Sequence, residues 1–283
     1  MTYILLAVAF SVTVSVLLKL ARRANVDIVQ AVATNYVVAA ALAALLLGAT
    51  PRAAIDARAT WAPLVLLGVL LPAIFLVLAR SVRSAGIVRT DVAQRLSLFV
   101  SLFAAFAFLG DTLTGTKLVG ILLALVAVAC VLWRKDRGTA AQGGLLAPLA
   151  VFAGFGAIDI SFKLVAQAGA PFASALLASF LIAMVLCWIA VIVRAAMGTA
   201  PVAMRSIGFG ALLGVANFAN ILFYVRGHQA LPDSPSLVFA AMNVGVVVLG
   251  ALVGALGFRE KLSWLNWLGL AIAIAAIGVM TTA

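Results

Sequence analysis

Lys163 and Asp159 stand four residues apart inside an apolar run of the sequence. A charge at the centre of a membrane-spanning helix costs about 2.5–3.5 kcal/mol on insertion scales, so embedded charges are candidates for function. The i, i+4 spacing puts both groups on one helical face, where each lowers the cost of the other. The ammonium could anchor an anionic or zwitterionic solute, while the carboxylate holds the lysine or takes up a coupling proton. The plain alternative is a structural pair, or a lysine whose stem carries its charge to the interface. Lys19 poses the same choice at a helix end, with Ser15 where the carboxylate would stand.

Arg80 and Arg95 flank a short connection and would meet at one mouth as a basic vestibule for anions. The bias of basic residues toward one membrane face explains them equally well. Gln94 and Asp91 lie beside Arg95, and Asp91 can simply pair with it. Nearer mid-membrane the polar groups are uncharged. Asn217 and Asn220 are three apart and share a face with Tyr224, Asn243 lies in the next run, and Ser97 and Ser101 are four apart in an earlier one. Each either binds solute or hydrogen-bonds helix to helix, and as a set they favour a polar solute site.

One histidine, His228, leaves no cluster for a metal, and Cys130 and Cys187 lie in apolar runs as inert thiols. Neither a Gly-rich nucleotide loop nor a nucleophile–base arrangement is present in the sequence, so no cofactor and no enzymatic activity are expected.

Such residues need elements to hold them. Of 283 residues, 66% are hydrophobic and 10% charged, and the mean hydropathy is +1.26. Soluble domains run at about half apolar and a quarter charged, so lipid must cover most of this surface. The expected class is an all-α integral membrane protein. The net charge of +11 comes from basic residues set singly or in short runs between apolar stretches, which reads as loops and not as a nucleic-acid surface.

At about twenty residues per crossing, ten spans are expected: 2–20, 29–49, 62–82, 91–109, 117–133, 145–165, 172–194, 206–228, 236–257 and 264–281. Proline with charge breaks the runs at Thr50-Pro51-Arg52 and Leu231-Pro232-Asp233, and glycine does so at Gly143-Gly144. The charges of the first run (Lys19, Arg22, Arg23) follow it, so it reads as a membrane helix and not as a cleavable signal. Small-xxx-small pairs at Gly210/Gly214 and Gly250/Gly254 point to close helix packing, and Pro72 is a candidate kink.

The only linker-like stretch, 138–144, falls near the middle and divides the chain into repeats 1–137 and 145–283. An offset of 144 lays Lys19 on Lys163, Ala24 on Ala168 and Ala31 on Ala175; an offset of 149 lays Asp111 on Glu260, Gly120 on Gly269 and Ala127 on Ala276. Five spans per half, an odd number, put the halves in opposite orientations, the inverted repeat of secondary transporters. One side of the membrane collects Arg22, Arg23, Arg83, Arg89, Arg134, Lys135, Arg137, Arg194, Arg205, Arg259 and Lys261, and the other only Arg52, Arg58 and Lys117. The basic side is expected to be cytoplasmic, with both termini outside.

Leu109-Gly110-Asp111-Thr112-Leu113 before Gly120, and Phe258-Arg259-Glu260-Lys261-Leu262 before Gly269, end the two halves alike. With the five-plus-five repeat, these motifs make the chain resemble the drug/metabolite transporter superfamily, in its ten-helix EamA-type branch. Asp111 stands where that family has Glu, and Arg259 where Gly is usual. The resemblance implies a cavity lined by the first, third, fourth, sixth, eighth and ninth helices, with the fifth and tenth at the periphery. It also implies cytoplasmic termini, opposite to the charge count. The four-helix multidrug branch binds cations at a glutamate in its first helix, whereas the one glutamate here, Glu260, falls in a loop. The expectation is a secondary transporter for a small anionic or zwitterionic metabolite in a bacterial inner membrane, monomer or homodimer, with proton or ion coupling as an open option. A lipid flippase or an accessory membrane subunit is the alternative.

Overall fold

A computed structural model of the chain describes residues 1–52, 61–85, 94, 97, 114–132, 146–167, 171–258 and 263–281. Among these residues the long elements are all helices: α1 (Thr2–Arg23), α2 (Ile28–Leu47), α3 (Trp61–Ala85), α4 (Gly115–Leu132), α5 (Leu146–Gln167), α6 (Phe172–Ala196), α7 (Met204–Ala230), α8 (Pro235–Phe258) and α9 (Trp264–Thr281). Each falls on an expected span. The remaining span, 91–109, lies outside the described residues except for Gln94 and Ser97, both helical. Helices satisfy their backbone groups internally, which lipid demands of any spanning segment. Within α2, α3, α6 and α7, the segments Ile28–Leu47, Trp61–Leu78, Phe172–Ala196 and Met204–Ala230 are long and apolar enough to cross a membrane. Leu45, Ile189, Ile192 and Leu212 stay exposed on these helices, as side chains facing lipid do. The chain is an all-α integral membrane protein.

Contacts divide the chain into two compact units. The first is Met1–Val12, Val77–Gly156 and Asn220–Ala283; the second is Thr13–Leu76 and Ala157–Ala219. Each draws on both halves of the sequence. The cuts recur with the repeat: Thr13 and Ala157 are 144 residues apart, and Leu76 and Ala219 are 143.

In the second unit, α2 packs on α6. At the 144 offset Tyr36 is equivalent to Phe180, and their rings meet with centroids 5.9 Å apart. A residue that touches its own equivalent sits beside a two-fold axis. Asp27, at the start of α2, is bonded to Arg194, near the end of α6, so the two helices run antiparallel. Two further helices join crosswise. A Cβ at Gly68 of α3 would lie 2.5 Å from Ile182 Cγ2 and 3.3 Å from the Ser179 carbonyl; one at Gly214 of α7 would lie 2.7 Å from Val38 Cβ and 2.8 Å from the Asn35 carbonyl. Val38 and Ile182 are equivalents, as are Asn35 and Ser179. The third span of each half therefore packs on the second span of the other, as an isologous interface requires.

The first unit repeats the plan with α4 and α9, which pack on each other. Equivalents at the 149 offset, Ala127 and Ala276 are both fully buried in one cluster with Val244 of α8. Asn266, in the first turn of α9, donates through Nδ2 to the Cys130 carbonyl near the end of α4 at 3.0 Å, so this pair is antiparallel too. The start of α1 also belongs here: Tyr3 and Phe10 stack on Phe223 of α7, at 6.4 and 5.7 Å between centroids. Within each unit, equivalent helices of the two halves thus lie antiparallel in contact, the arrangement an inverted repeat requires.

The close packing expected at Gly210 and Gly214 is present, and Gly68 adds a third such site. At Gly250 it is not found, because among the described residues nothing lies within 4 Å of where a Cβ would stand. Gly210 tests the seam. A Cβ there would meet the Ala31 carbonyl at 2.5 Å and the Ala31 Cα at 2.9 Å, backbone that cannot turn aside. Gly210→Ala should cost about 1–3 kcal/mol and lower the thermal midpoint in detergent. Gly208→Ala, where nothing lies within 4 Å, should be neutral or slightly stabilising, since alanine is the better helix former. Equal midpoints for the two variants would contradict this packing.

Candidate functional site

The expected charged residues come first. Asp159 and Lys163 lie on α5 and Lys19 on α1, all within the second unit, and their side chains fall outside what the structure describes. Ser161, between the acidic and basic positions, is buried and donates its hydroxyl to the Ala157 carbonyl at 2.7 Å. Arg80, near the end of α3, is exposed and belongs to the first unit; Arg95 lies outside the described residues.

The uncharged set divides between the units. Asn217 is half-buried in the second, whereas Asn220, Tyr224 and Asn243 belong to the first. The expected face of Asn217 and Asn220 therefore spans the cut between Ala219 and Asn220. Asn220 Oδ1 is buried without a hydrogen-bond partner. One turn on, the Tyr224 ring meets His228 edge-on at 4.8 Å. Ser97 donates to the Gln94 carbonyl at 2.6 Å, so its proton is already held by its own backbone. Among the described residues no three His, Cys, Asp or Glu gather where they could hold a metal ion.

Two polar features escaped the sequence reading. Asn35, midway along α2, is fully buried, and neither its Oδ1 nor its Nδ2 has a partner. Each unsatisfied buried group costs about 1–3 kcal/mol. Its neighbours manage differently: Thr34 donates to the Gln30 carbonyl at 3.0 Å, and Ser179, the equivalent of Asn35, donates to the Ala175 carbonyl at 2.9 Å. An asparagine in an apolar run was the available signal, the same one that singled out Asn217.

The second is a polar clamp at one end of the second unit. Asp27 caps α2 by accepting from the Gln30 N–H at 3.0 Å. It also accepts from both terminal nitrogens of Arg194, at 3.1 and 2.9 Å, the bidentate geometry in which such pairs are strongest. The Asp27 N–H donates to Ser206 Oγ at 3.0 Å. Gln30 fastens the loop between α6 and α7, donating to the Pro201 carbonyl at 2.8 Å and accepting from the Ala203 N–H at 2.9 Å. Gly198, at φ +68°, turns the chain so that the Thr199 N–H returns to the Arg194 carbonyl at 3.0 Å. The α1–α2 and α6–α7 loops, one from each half, are thus tied together, and Arg23 and Arg205 flank them.

Comparison with known proteins decides the family. A model of the EamA-like transporter family matches residues 1–133. A protein of Haemophilus influenzae, described as uncharacterized, is 41% identical over 281 residues, covering 97% of this chain and 95% of its own length. The chain belongs to the EamA-like transporter family. That family lies within the drug/metabolite transporter superfamily and consists of transporters, not enzymes. A solved crystal structure is similar in fold, with a TM-score of 0.67 at 18% identity, covering 99% of this chain and 97% of its own.

The clamp of this EamA-like protein gives a pH prediction. Burial pushes the Asp27 carboxyl up, but the Arg194 guanidinium and the Gln30 N–H favour its charged form and hold it below the usual carboxylate value of 3.8. A depressed carboxyl contributes stability that is present above its unfolded value and is lost as pH falls through its folded value. Asp27→Asn, which keeps a capping oxygen, should therefore lower stability by up to about 1 kcal/mol at pH 7 through loss of the part-exposed ion pair. The gap to wild type should close below roughly pH 4. Thermal midpoints of both proteins across pH 3–8 check it, and a constant gap would remove the ion pair from the account.

Proposed function

We propose that this EamA-like protein is a secondary transporter carrying a small polar metabolite, anionic or zwitterionic, across a bacterial inner membrane by alternating access. The observation that carries the reading is the antiparallel contact of equivalent helices, α2 on α6 and α4 on α9. Inverted halves related by an internal two-fold can exchange roles, so two inverted states of similar energy are available to one sequence. The family supports transport at the coarser level, and the unpartnered Asn220 acceptor supports a hydrogen-bonding solute. Lys163 and Lys19 would attract its anionic group, with Asp159 holding Lys163 or exchanging a proton. Gln94, Ser97, Asn217, Tyr224 and Asn243 would supply neutral contacts, and Arg80 and Arg95 a basic approach. The clamp also bears on orientation: it joins the loops beside Arg23 and Arg205 at one end, in keeping with the charge count that makes this side cytoplasmic.

The test is thermal unfolding of purified protein in detergent against metabolites sorted by charge. A ligand that binds only the folded state stabilises it by RT ln(1 + [L]/Kd), about 2.7 kcal/mol at a hundredfold excess over Kd. Anions or amino acids should raise the midpoint of wild type and lose that effect in Lys163→Ala. If only cations stabilise the protein, the basic residues are interface charges and the substrate class proposed here is wrong. If nothing binds and reconstituted protein scrambles labelled lipid, the flippase reading replaces this one. With proton coupling, Asp159→Asn abolishes pH-driven uptake in proteoliposomes while leaving solute counterflow, and unchanged pH-driven uptake would retire Asp159 as the coupling group.

A further inference from the structure

We infer that Asn35 is a solute-contacting residue of α2, reached when α7 lifts from the α2 backbone it now lies against; this rests on the transport reading above. The starting point is its chemistry. A carboxamide offers two donors and one acceptor group, and at Asn35 both ends are buried with no protein partner. Structural asparagines in spanning helices hydrogen-bond to a neighbouring helix. Asn35 does not, although residues around it use the backbone readily, as Thr34 and Ser179 do.

The contact is specific. Gly210 and Gly214 of α7 bring its backbone onto Ala31, Thr34, Asn35 and Val38 of α2, so closely that a Cβ at either glycine would fall within 3 Å of α2 atoms. Asn217 stands three residues beyond Gly214 on the same stripe and is half-buried in the same unit. A glycine ridge against the stretch of α2 backbone that carries an unpaired amide, with a second amide one turn along on α7, is a seam that can open at little steric cost. The glycine stripe itself carries no interlocking side chains, so what opening must break lies at the start of α7, where Ser206 accepts from the Asp27 N–H and Phe209 packs by Ala31. When the ridge lifts, the Asn35 carboxamide can donate to and accept from a single ligand group, which a carboxylate with a neighbouring ammonium or hydroxyl provides and a purely apolar solute does not. The repeat sharpens the point. Asn35 is the member of the equivalent pair that kept an amide, and Ser179 is the member that turns its proton back onto its own helix. Asn35 thus extends the recognition set to α2.

Two measurements test this on the full-length protein. Asn35→Leu fills the same space without unpaired groups, so it should raise the thermal midpoint while weakening the stabilisation by the best solute of the charge-sorted screen at least tenfold, with Asn35→Ser intermediate. A variant that is more stable and binds that solute as wild type does would overturn the inference and leave Asn35 a packing residue. In a background with Cys130 and Cys187 replaced by serine, Asn35→Cys in native membranes should react with N-ethylmaleimide at least tenfold faster than Ala39→Cys, an equally buried position of α2. Equal inertness of the two positions would overturn the inference as well. The labelling needs no solute, so its failure is distinct from failure of the transport reading, in which no metabolite stabilises wild type at all.

Discussion

Equivalent helices of the two halves must lie against each other, antiparallel, and most of the packing follows from that constraint. Once Tyr36 meets Phe180, the neighbourhoods of α2 and α6 are fixed as mirror tasks for the same sequence positions. Whatever covers one side of α2 must cover the matching side of α6. Gly214 against Val38 and Gly68 against Ile182 carry this out with the same residue type. Lipid gives no hydrophobic drive to bring helices together, so the gain comes from close contact, and glycine permits the closest. The α4 and α9 pair solves the same problem with alanine, Ala127 and Ala276 being fully buried together.

Against this symmetry the polar clamp is one-sided. The positions equivalent to Asp27, Gln30 and Arg194 are Pro171, Ser174 and Thr50, which cannot form the same ion pair. At the start of α6, Pro171 occupies the cap without any side-chain bond, whereas Asp27 caps α2 and holds Arg194 as well. A two-fold core by itself makes inverted arrangements equal in energy. An ion pair tied to one end removes that equality, and its worth at a part-exposed site is of order 1 kcal/mol.

Much of this was legible in the sequence because it is written in local terms. Apolar runs bounded by proline, glycine and charge place each described helix within a few residues of where it occurs. The offsets of 144 and 149 name the equivalent helices, but not that these pack on each other. The rest was illegible for a physical reason. Arg194 counts as a loop cation until its partner Asp27, 167 residues away, is brought to it by antiparallel packing. Gly68 carries no motif, and its role depends on Ile182 in the other half. Gly250, which does carry one, has no close neighbour among the described residues, since small residues permit contact without compelling it. Asn35 was passed over because one amide barely dents the hydropathy of α2, although it is fully buried with neither amide atom partnered.

The unsatisfied amides connect fold to function. Soluble proteins can leave a polar side chain to water, but a membrane helix has no such reserve, so an orphan there is retained against a standing cost. That cost explains nothing within the fold, because leucine at Asn35 would remove it. A partner met in another state, such as the proposed transport cycle supplies, would account for it. Ser97, Ser161 and Ser179 have their protons engaged by their own helices, so a solute gains little from meeting them. Asn220 and Asn35 are in the opposite position. Hydrogen bonds offered to them replace nothing already made, and a ligand receives nearly the full interaction. Polarity that the fold leaves unpaired is therefore a more selective pointer to the proposed solute contacts than polarity alone.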